Sequence, residues 1–206
     1  MSFKTEQEAF WSGEFGDEYT DRNVGAQHEA ALLSNFSEIL KFTGSLESAI
    51  EFGANRGLNL ITLKKLLPEI KLTAIEINQS AVEHLSTLPD VEVKHQSILE
   101  FSPSDTYHLS YIRGVLIHIN PDELTEVYDR LYATSDKWIL VSEYYNPEPV
   151  GLNYRGHKDR LFKRDFAGEI LDRFSDLELT AYGFNYRRDP LFPQDDTTWF
   201  LLRKKS

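Results

Sequence analysis

Apolar and polar residues recur along this chain with two periods, and the switches between them mark out its elements. Residues 30–42 place Leu32, Leu33, Phe36, Ile39 and Leu40 on one face at helical spacing. Residues 49–52 form a short apolar run that ends at Gly53, which predicts a strand. The spacing predicts a helix over 58–67 closed by Pro68, a strand over 72–77, and a helix over 81–86 capped by Ser80. Strands follow at 91–95 and 107–113, and Pro121 opens a helix that turns Leu124, Val127 and Leu131 inward. Residues 138–143, WILVSE, are nearly all apolar, as a strand covered on both faces requires. A helix over 165–174 aligns Phe166, Ile170 and Phe174. The last two strands, 177–184 and 198–203, lie too close in sequence for a helical crossover and are read as antiparallel.

This order predicts a single α/β domain over residues 1–206. Its core is a Rossmann-like, doubly wound, mostly parallel seven-stranded sheet with an antiparallel C-terminal hairpin. Residues 1–25 make an N-terminal arm rich in aromatics and glycine, without clean periodicity, and residues 146–165 form an insertion after the fifth strand.

Composition narrows the function classes. Hydrophobic residues make up 41% and charged residues 27%, the balance of a folded globule rather than a disordered chain. The net charge of −11 is the wrong sign for a polyanion partner, so no nucleic acid is expected. No cysteine is present, which excludes disulfides, thiolate metal sites and a Cys nucleophile, and fits a cytoplasmic protein. No apolar run approaches the roughly 20 residues of a membrane span, and residues 1–10 lack the basic and apolar regions of a signal peptide. Neither membrane insertion nor secretion is therefore expected. His157 and Asp159 are close, but no second cluster completes a metal site. The oligomeric state stays open.

The chemistry begins at Glu51-Phe52-Gly53-Ala54-Asn55-Arg56-Gly57-Leu58-Asn59-Leu60, a strand, a glycine turn and a helix start. Gly53 and Gly57 let backbone approach a ligand where a Cβ would collide. A dinucleotide site uses G-x-G-x-x-G, with the middle glycine against the pyrophosphate. Here Asn55 holds that middle position, and Glu51 would repel a pyrophosphate while attracting a cationic amino acid moiety. S-adenosylmethionine has no phosphate and meets neither objection. Glu76, at the end of the second strand, is placed to accept from ribose hydroxyls, with Ile77 against the adenine face and Ser97 and Ile98 at its edge. Asn59, Arg113 and Gly114 complete the expected cofactor set.

Segments across nearly the whole chain carry a resemblance: FWSGEFGDEYTDRN (10–23), EFGANRGLNL (51–60), GVLIHINPDEL (114–124), SEYYNPEP (142–149), YRGHKDRLFKRDFAGE (154–169) and YGFNYRRDPLFPQDDTTWF (182–200). Together they resemble the methylases associated with pseudaminic acid biosynthesis. The resemblance implies a class I S-adenosylmethionine-dependent methyltransferase linked to glycan biosynthesis, without defining its acceptor. The acidic residue that many class I enzymes carry after the third strand is replaced here by Gln96-Ser97.

Ligands of open α/β sheets bind outside the carboxyl ends of the strands. That singles out Arg113 to His118, Glu143 to Asn146, and Asp195-Asp196. His118 is a candidate base, although a histidine among such apolar neighbours more often bonds a backbone carbonyl. Glu143 ends an apolar strand and is either a base with a raised pKa or the partner of a nearby arginine. Tyr144 and Tyr145 are candidates to line an acceptor pocket. In the arm, Trp11, Tyr19 and Arg22 are candidates to close over the cofactor. Arg155, Lys158, Arg160, Lys163 and Arg164 form a basic island: a solvated face or, with Arg188, a seat for an anionic small acceptor such as a nonulosonate or nucleotide-linked sugar. Two other readings compete, a non-catalytic S-adenosylmethionine-binding scaffold and an NAD-dependent oxidoreductase.

Overall fold

The computed structural model describes residues 3–20 and 25–205, and at 157–159 the backbone alone. Its strands, in chain order, are β1 (Ser48–Phe52), β2 (Lys71–Glu76), β3 (Val91–His95), β4 (Tyr107–Arg113) and β5 (Ser135–Glu143), then β6 (Val150–Tyr154), β7 (His157–Lys163), β8 (Leu177–Phe184) and β9 (Thr198–Lys204). The helices are α1 (Glu6–Ser12), α2 (Glu14–Thr20), α3 (Ala26–Thr43), α4 (Leu58–Leu66), α5 (Gln79–Leu85), α6 (Leu124–Thr134) and α7 (Phe166–Arg173). The main sheet has seven strands in the order β3-β2-β1-β4-β5-β9-β8. The first five run parallel, and β9 lies antiparallel between β5 and β8. This is the expected doubly wound sheet with its C-terminal hairpin.

Side-chain alternation along the strands divides the core into two layers. In β5, Trp138 and Leu140 face one layer with Phe36 and Ile39 of α3, Leu60 and Leu63 of α4, and Leu85 of α5. Ile139 and Val141 face the other, with Val127 and Leu131 of α6 and Phe166 and Ile170 of α7. Strand order reverses between β1 and β4, so the loops leaving their carboxyl ends splay apart and open a crevice.

The structure corrects one cap and gives form to two segments. The arm is helical: Thr5 accepts from the Glu8 amide, and the Glu8 carboxylate returns a bond to the Thr5 amide, a reciprocal cap that starts α1. Each arm helix spans only 7 residues, too few for an apolar stripe to show in the sequence. Helix α5 is capped by Asn78 and not Ser80, because Asn78 Oδ1 accepts from the Ala81 amide at 2.9 Å. The insertion is a β-hairpin, β6 and β7, closed by Arg155 (φ 49°) and Gly156 (φ 89°). Two successive left-handed residues give the twist that a tight hairpin needs. Arg-Gly is not the usual sequence for such a turn, which hid it. Among the described residues no helix is long and apolar enough to cross a membrane.

Candidate functional site

A cavity of about 500 Å³ occupies the crevice. Its floor comes from the loops after β1, β2, β3 and β4, its side from Tyr144 after β5, and its roof from Trp11 and Tyr19 of the arm and Tyr154 of the hairpin.

The turn after β1 is built for close approach at Gly53 and for packing at Gly57. Gly53 has φ +75°, and a Cβ there would sit 2.7 Å from Val115 Cγ2. Gly57 has φ +78°, but a Cβ there would strike Leu88 and Leu85 beneath the turn, so this glycine serves helix packing. Asn55 holds a left-handed conformation (φ 48°) and lines the cavity, with its Oδ1 buried and unpartnered among the described residues. Four of the turn's amides are already engaged. Gly53 N and Ala54 N both donate to Ile75 O, Gly57 N donates to Ala54 O, and Asn55 N donates to Glu76 Oε2 at 2.7 Å.

Glu76 lines the cavity at the end of β2, only 7% exposed. Besides Asn55 N, it accepts from Ile77 N and Asn78 N, both at 2.8 Å on Oε1. Burial raises its pKa, and those backbone donors oppose the rise. A carboxylate offers about four acceptor directions, so roughly one remains for a ligand hydroxyl. Ile77, Ser97 and Ile98 line the same end.

Glu51 is not at the cavity. Strand alternation places it beneath the turn, where Asn59 Nδ2 donates to Oε1 at 2.6 Å and the Tyr111 hydroxyl to Oε2 at 2.9 Å. Asn59 does line the cavity and links the two. Arg113, with Gly114, lines the opposite end, over β4. Its Nη1 donates to Asn35 Oδ1 at 2.8 Å and its Nη2 to Gln194 Oε1. Both acceptors are neutral amides, so the cation has no hydrogen-bonded carboxylate among the described residues. Glu51, Glu143 and Asp195 act on it only through space.

His118 lines the cavity and is 7% exposed. Its Nδ1 lies 2.6 Å from Arg160 O on β7. A carbonyl only accepts, so the neutral ring carries its proton on Nδ1 and leaves Nε2 as an acceptor. Burial pushes the ring down to about 4. Trp11 and Tyr154 flank it, with ring centroids 4.5 and 4.9 Å away. The indole Nε1–H of Trp11 is buried without a partner among the described residues.

Glu143 does not line the cavity and does not hydrogen-bond an arginine. Its Oε1 accepts from Val115 N and Leu116 N, both at 2.9 Å, and so holds the start of the 3₁₀ turn Leu116–His118. Its Oε2 is buried without a partner among the described residues. Burial pushes Glu143 up to about 7 and Glu51 to about 8, from an ordinary 4.5. A carboxyl raised in this way binds its proton more tightly in the folded chain than in the unfolded one. The stability it lends is fully present below about 4.5 and is lost as pH climbs through the folded pKa. Wild-type protein is therefore expected to lose stability between pH 5.5 and 8.5. In the Glu143→Gln variant the loss should be smaller by on the order of 2 kcal/mol. Urea unfolding at the two pH values checks this, and parallel losses in both proteins would remove Glu143 as a titrating group.

The acceptor candidates separate. Tyr144 lines the cavity, its phenol pKa raised by burial and by Asp195. Tyr145 is 42% exposed and packs on Phe200 outside the cavity. Arg155 sits at the hairpin tip over the Tyr154 ring, Arg164 bonds Glu169 at 2.5 Å, and Arg188 is exposed. None of these three arginines lines the cavity; Arg187 does, near Asp196 at its mouth. Arg22 lies outside the described residues. Sequence reasoning missed Glu8, Asn78, Tyr154 and Gln194, which also line the cavity. They reach it from the arm, a helix cap, the unforeseen hairpin and the 185–197 loop.

No protein-family model matches the chain, and no curated protein matches it. Solved structures do. The 1,6-didemethyltoxoflavin-N1-methyltransferase of Burkholderia thailandensis, with bound 1,6-didemethyltoxoflavin and S-adenosylhomocysteine, superposes with a TM-score of 0.70 at 15% identity, over 97% of this chain and 87% of that one. The plantazolicin methyltransferase in complex with S-adenosylhomocysteine gives 0.67 at 13%, over 97% and 94%. The magnesium protoporphyrin IX methyltransferase of Synechocystis PCC 6803, also with bound S-adenosylhomocysteine, gives 0.66 at 12%, over 97% and 100%. At such identities the likeness shows a shared fold.

Proposed function

We propose that this chain is an S-adenosylmethionine-dependent methyltransferase acting on a small molecule. The observation that carries the reading is the turn after β1. Its amides at Gly53, Ala54, Asn55 and Gly57 are consumed internally, and Asn55 stands where a dinucleotide turn needs a glycine against the pyrophosphate. Beside it stands a buried carboxylate, Glu76, with acceptor capacity left for a hydroxyl. This pairing disfavours NAD and suits an adenosine without phosphates. The methyltransferases of the same fold named above carry S-adenosylhomocysteine, which supports the same choice.

The chain's residues fit the cofactor's groups. Arg113, lacking a hydrogen-bonded carboxylate, would take the amino acid carboxylate. Glu76 would take a ribose hydroxyl, and Ile77 and Ile98 the base. When bound, the cofactor supplies an electrophilic methyl group on its sulfonium. The chain then has to align the acceptor and exclude water. Trp11, Tyr19 and Tyr154 supply the roof that does so, and correct alignment is worth about 7–11 kcal/mol. Where the acceptor is a hydroxyl, Nε2 of His118 receives its proton; Glu143 positions the turn that carries His118.

For the acceptor we propose a small anionic molecule such as a nonulosonate or nucleotide-linked sugar, in keeping with the glycan-biosynthesis link of the methylases that the chain resembles. An anionic group on it would meet Arg187 at the cavity mouth rather than the more distant Arg155, Arg164 and Arg188.

Methyl-labelled S-adenosylmethionine, incubated with the protein and pools of acidic and nucleotide-linked sugars, should label the small-molecule fraction. If the cofactor binds but label enters no pool, the scaffold reading replaces this one. With an acceptor in hand, the acidic limb of kcat/KM is expected near pH 4, where His118 protonates, and not near 6.5. A limb near 6.5 would place the base elsewhere.

A further inference from the structure

The end of the cavity over β2 and β3 has an apolar lining from Ile77, Ala81, Ile98 and Leu99, and at its rim stands a carboxylate from a distant part of the chain. Glu8 of α1 is 7% exposed and lines the cavity. Its Oε1 accepts from the Ser97 hydroxyl, and its Oε2 from Lys4 N at 2.7 Å and Thr5 N at 3.0 Å. Ser97 is held in turn by the Leu99 amide, which donates to its Oγ at 2.9 Å. The arm is anchored again beside Glu76: Asn78 Nδ2 donates to Trp11 O at 3.2 Å and to Asp17 Oδ1 at 2.8 Å. A Cβ at Gly16 would overlap Trp11 O and Asn78 Nδ2, so a glycine is required for this close docking.

A carboxylate in an apolar slot is an acceptor with no donating capacity. Its ligand must therefore offer a donor at the edge of a flat apolar body, and an aromatic base with an exocyclic amine does so. We propose that Glu8 reads the 6-amino group of the cofactor's adenine. On this basis the arm, and not the loop after β3, supplies the specificity-determining carboxylate. The inference rests on the S-adenosylmethionine reading above and extends it. The base then ties the arm down at Ser97 and Asn78, while the same helix presses Trp11 against His118 and reaches β7 through Arg160 and Glu6, 3.2 Å apart. Occupancy by the cofactor thus adds a contact to the arm that roofs the acceptor pocket.

The test compares S-adenosylhomocysteine with S-inosylhomocysteine, which replaces the 6-amino donor by a carbonyl acceptor. Wild-type protein should prefer the adenine compound by at least about 10-fold, because the carboxylate faces a donor in one and an acceptor in the other. In Glu8→Gln the amide can serve either edge, and the preference should fall to within about 3-fold. Thr5→Ala weakens the α1 cap without touching Ser97, and should reduce affinity for both compounds while keeping their ratio. An unchanged ratio in Glu8→Gln, or a ratio that collapses equally in Thr5→Ala, overturns the assignment to Glu8. Failure of wild-type protein to bind S-adenosylhomocysteine at all overturns the cofactor reading itself, and this inference with it.

Discussion

Replacing Glu76 with alanine is expected to weaken S-adenosylhomocysteine binding by about 100-fold, the largest single effect in the site. A hydrogen bond to a charged acceptor is worth about 1.5–3 kcal/mol, and the ribose loses at least one. The substitution also strips an acceptor from Asn55 N, Ile77 N and Asn78 N, so the turn itself should loosen and the melting temperature should fall. Glu76→Gln separates the two effects. It keeps one oxygen for Ile77 N and Asn78 N but turns an amide toward Asn55 N, so stability should drop less while affinity still falls at least about 10-fold. Calorimetric titration of each variant beside a thermal melt checks this. A Gln variant with wild-type affinity and wild-type stability would remove Glu76 from the binding site.

Gly53→Ala is expected to cost about 2–4 kcal/mol of stability, which for a chain of this size is a drop of roughly 5–15 °C. Two separate penalties add. The left-handed backbone at φ +75° disfavours any Cβ by about 1–2 kcal/mol. A Cβ 2.7 Å from Val115 Cγ2 must also displace a side chain that is stiff at χ1. Adding Val115→Ala to Gly53→Ala should recover the second part and leave the first, a non-additivity that a double-mutant cycle reads directly. If the double variant is no more stable than the sum of its parts predicts, the two residues do not meet as described.

How far the sequence speaks for the structure depends on whether a feature is local. Strands such as 91–95 and 107–113 were legible to the residue because apolar side chains recur there at every second position, Val91 and Val93 in one and Tyr107, Leu109 and Tyr111 in the other. Gly53 and Glu76 were legible because β1 and β2 deliver the chain to the crevice at their carboxyl ends. Glu51 shows the limit of reading a motif without its pleat. It alternates with Phe52 and shares a face with Ala49, so it points into the α3/α4 layer and bonds Tyr111 and Asn59. That outcome was available from the period of two.

Other features have no local signal. The path of Glu8 to Ser97 spans 89 positions and depends on how the arm docks, and the contact of Arg160 O with His118 depends on a hairpin whose turn is Arg-Gly. The basic island is dispersed for a related reason: Arg155 lies at the hairpin tip over Tyr154, Arg160 reaches Glu6, and Arg164 bonds Glu169 at the start of α7. Arg187 reaches the cavity mouth while its neighbour Arg188 does not line the cavity.

The central claim is that the crevice over β1 and β2 binds S-adenosylmethionine and not a dinucleotide. Isothermal titration of the wild-type protein with S-adenosylhomocysteine and, in parallel, with NAD tests it most directly. Saturable binding of S-adenosylhomocysteine with no measurable heat from NAD is the predicted result. Saturable binding of NAD with none of S-adenosylhomocysteine would contradict it.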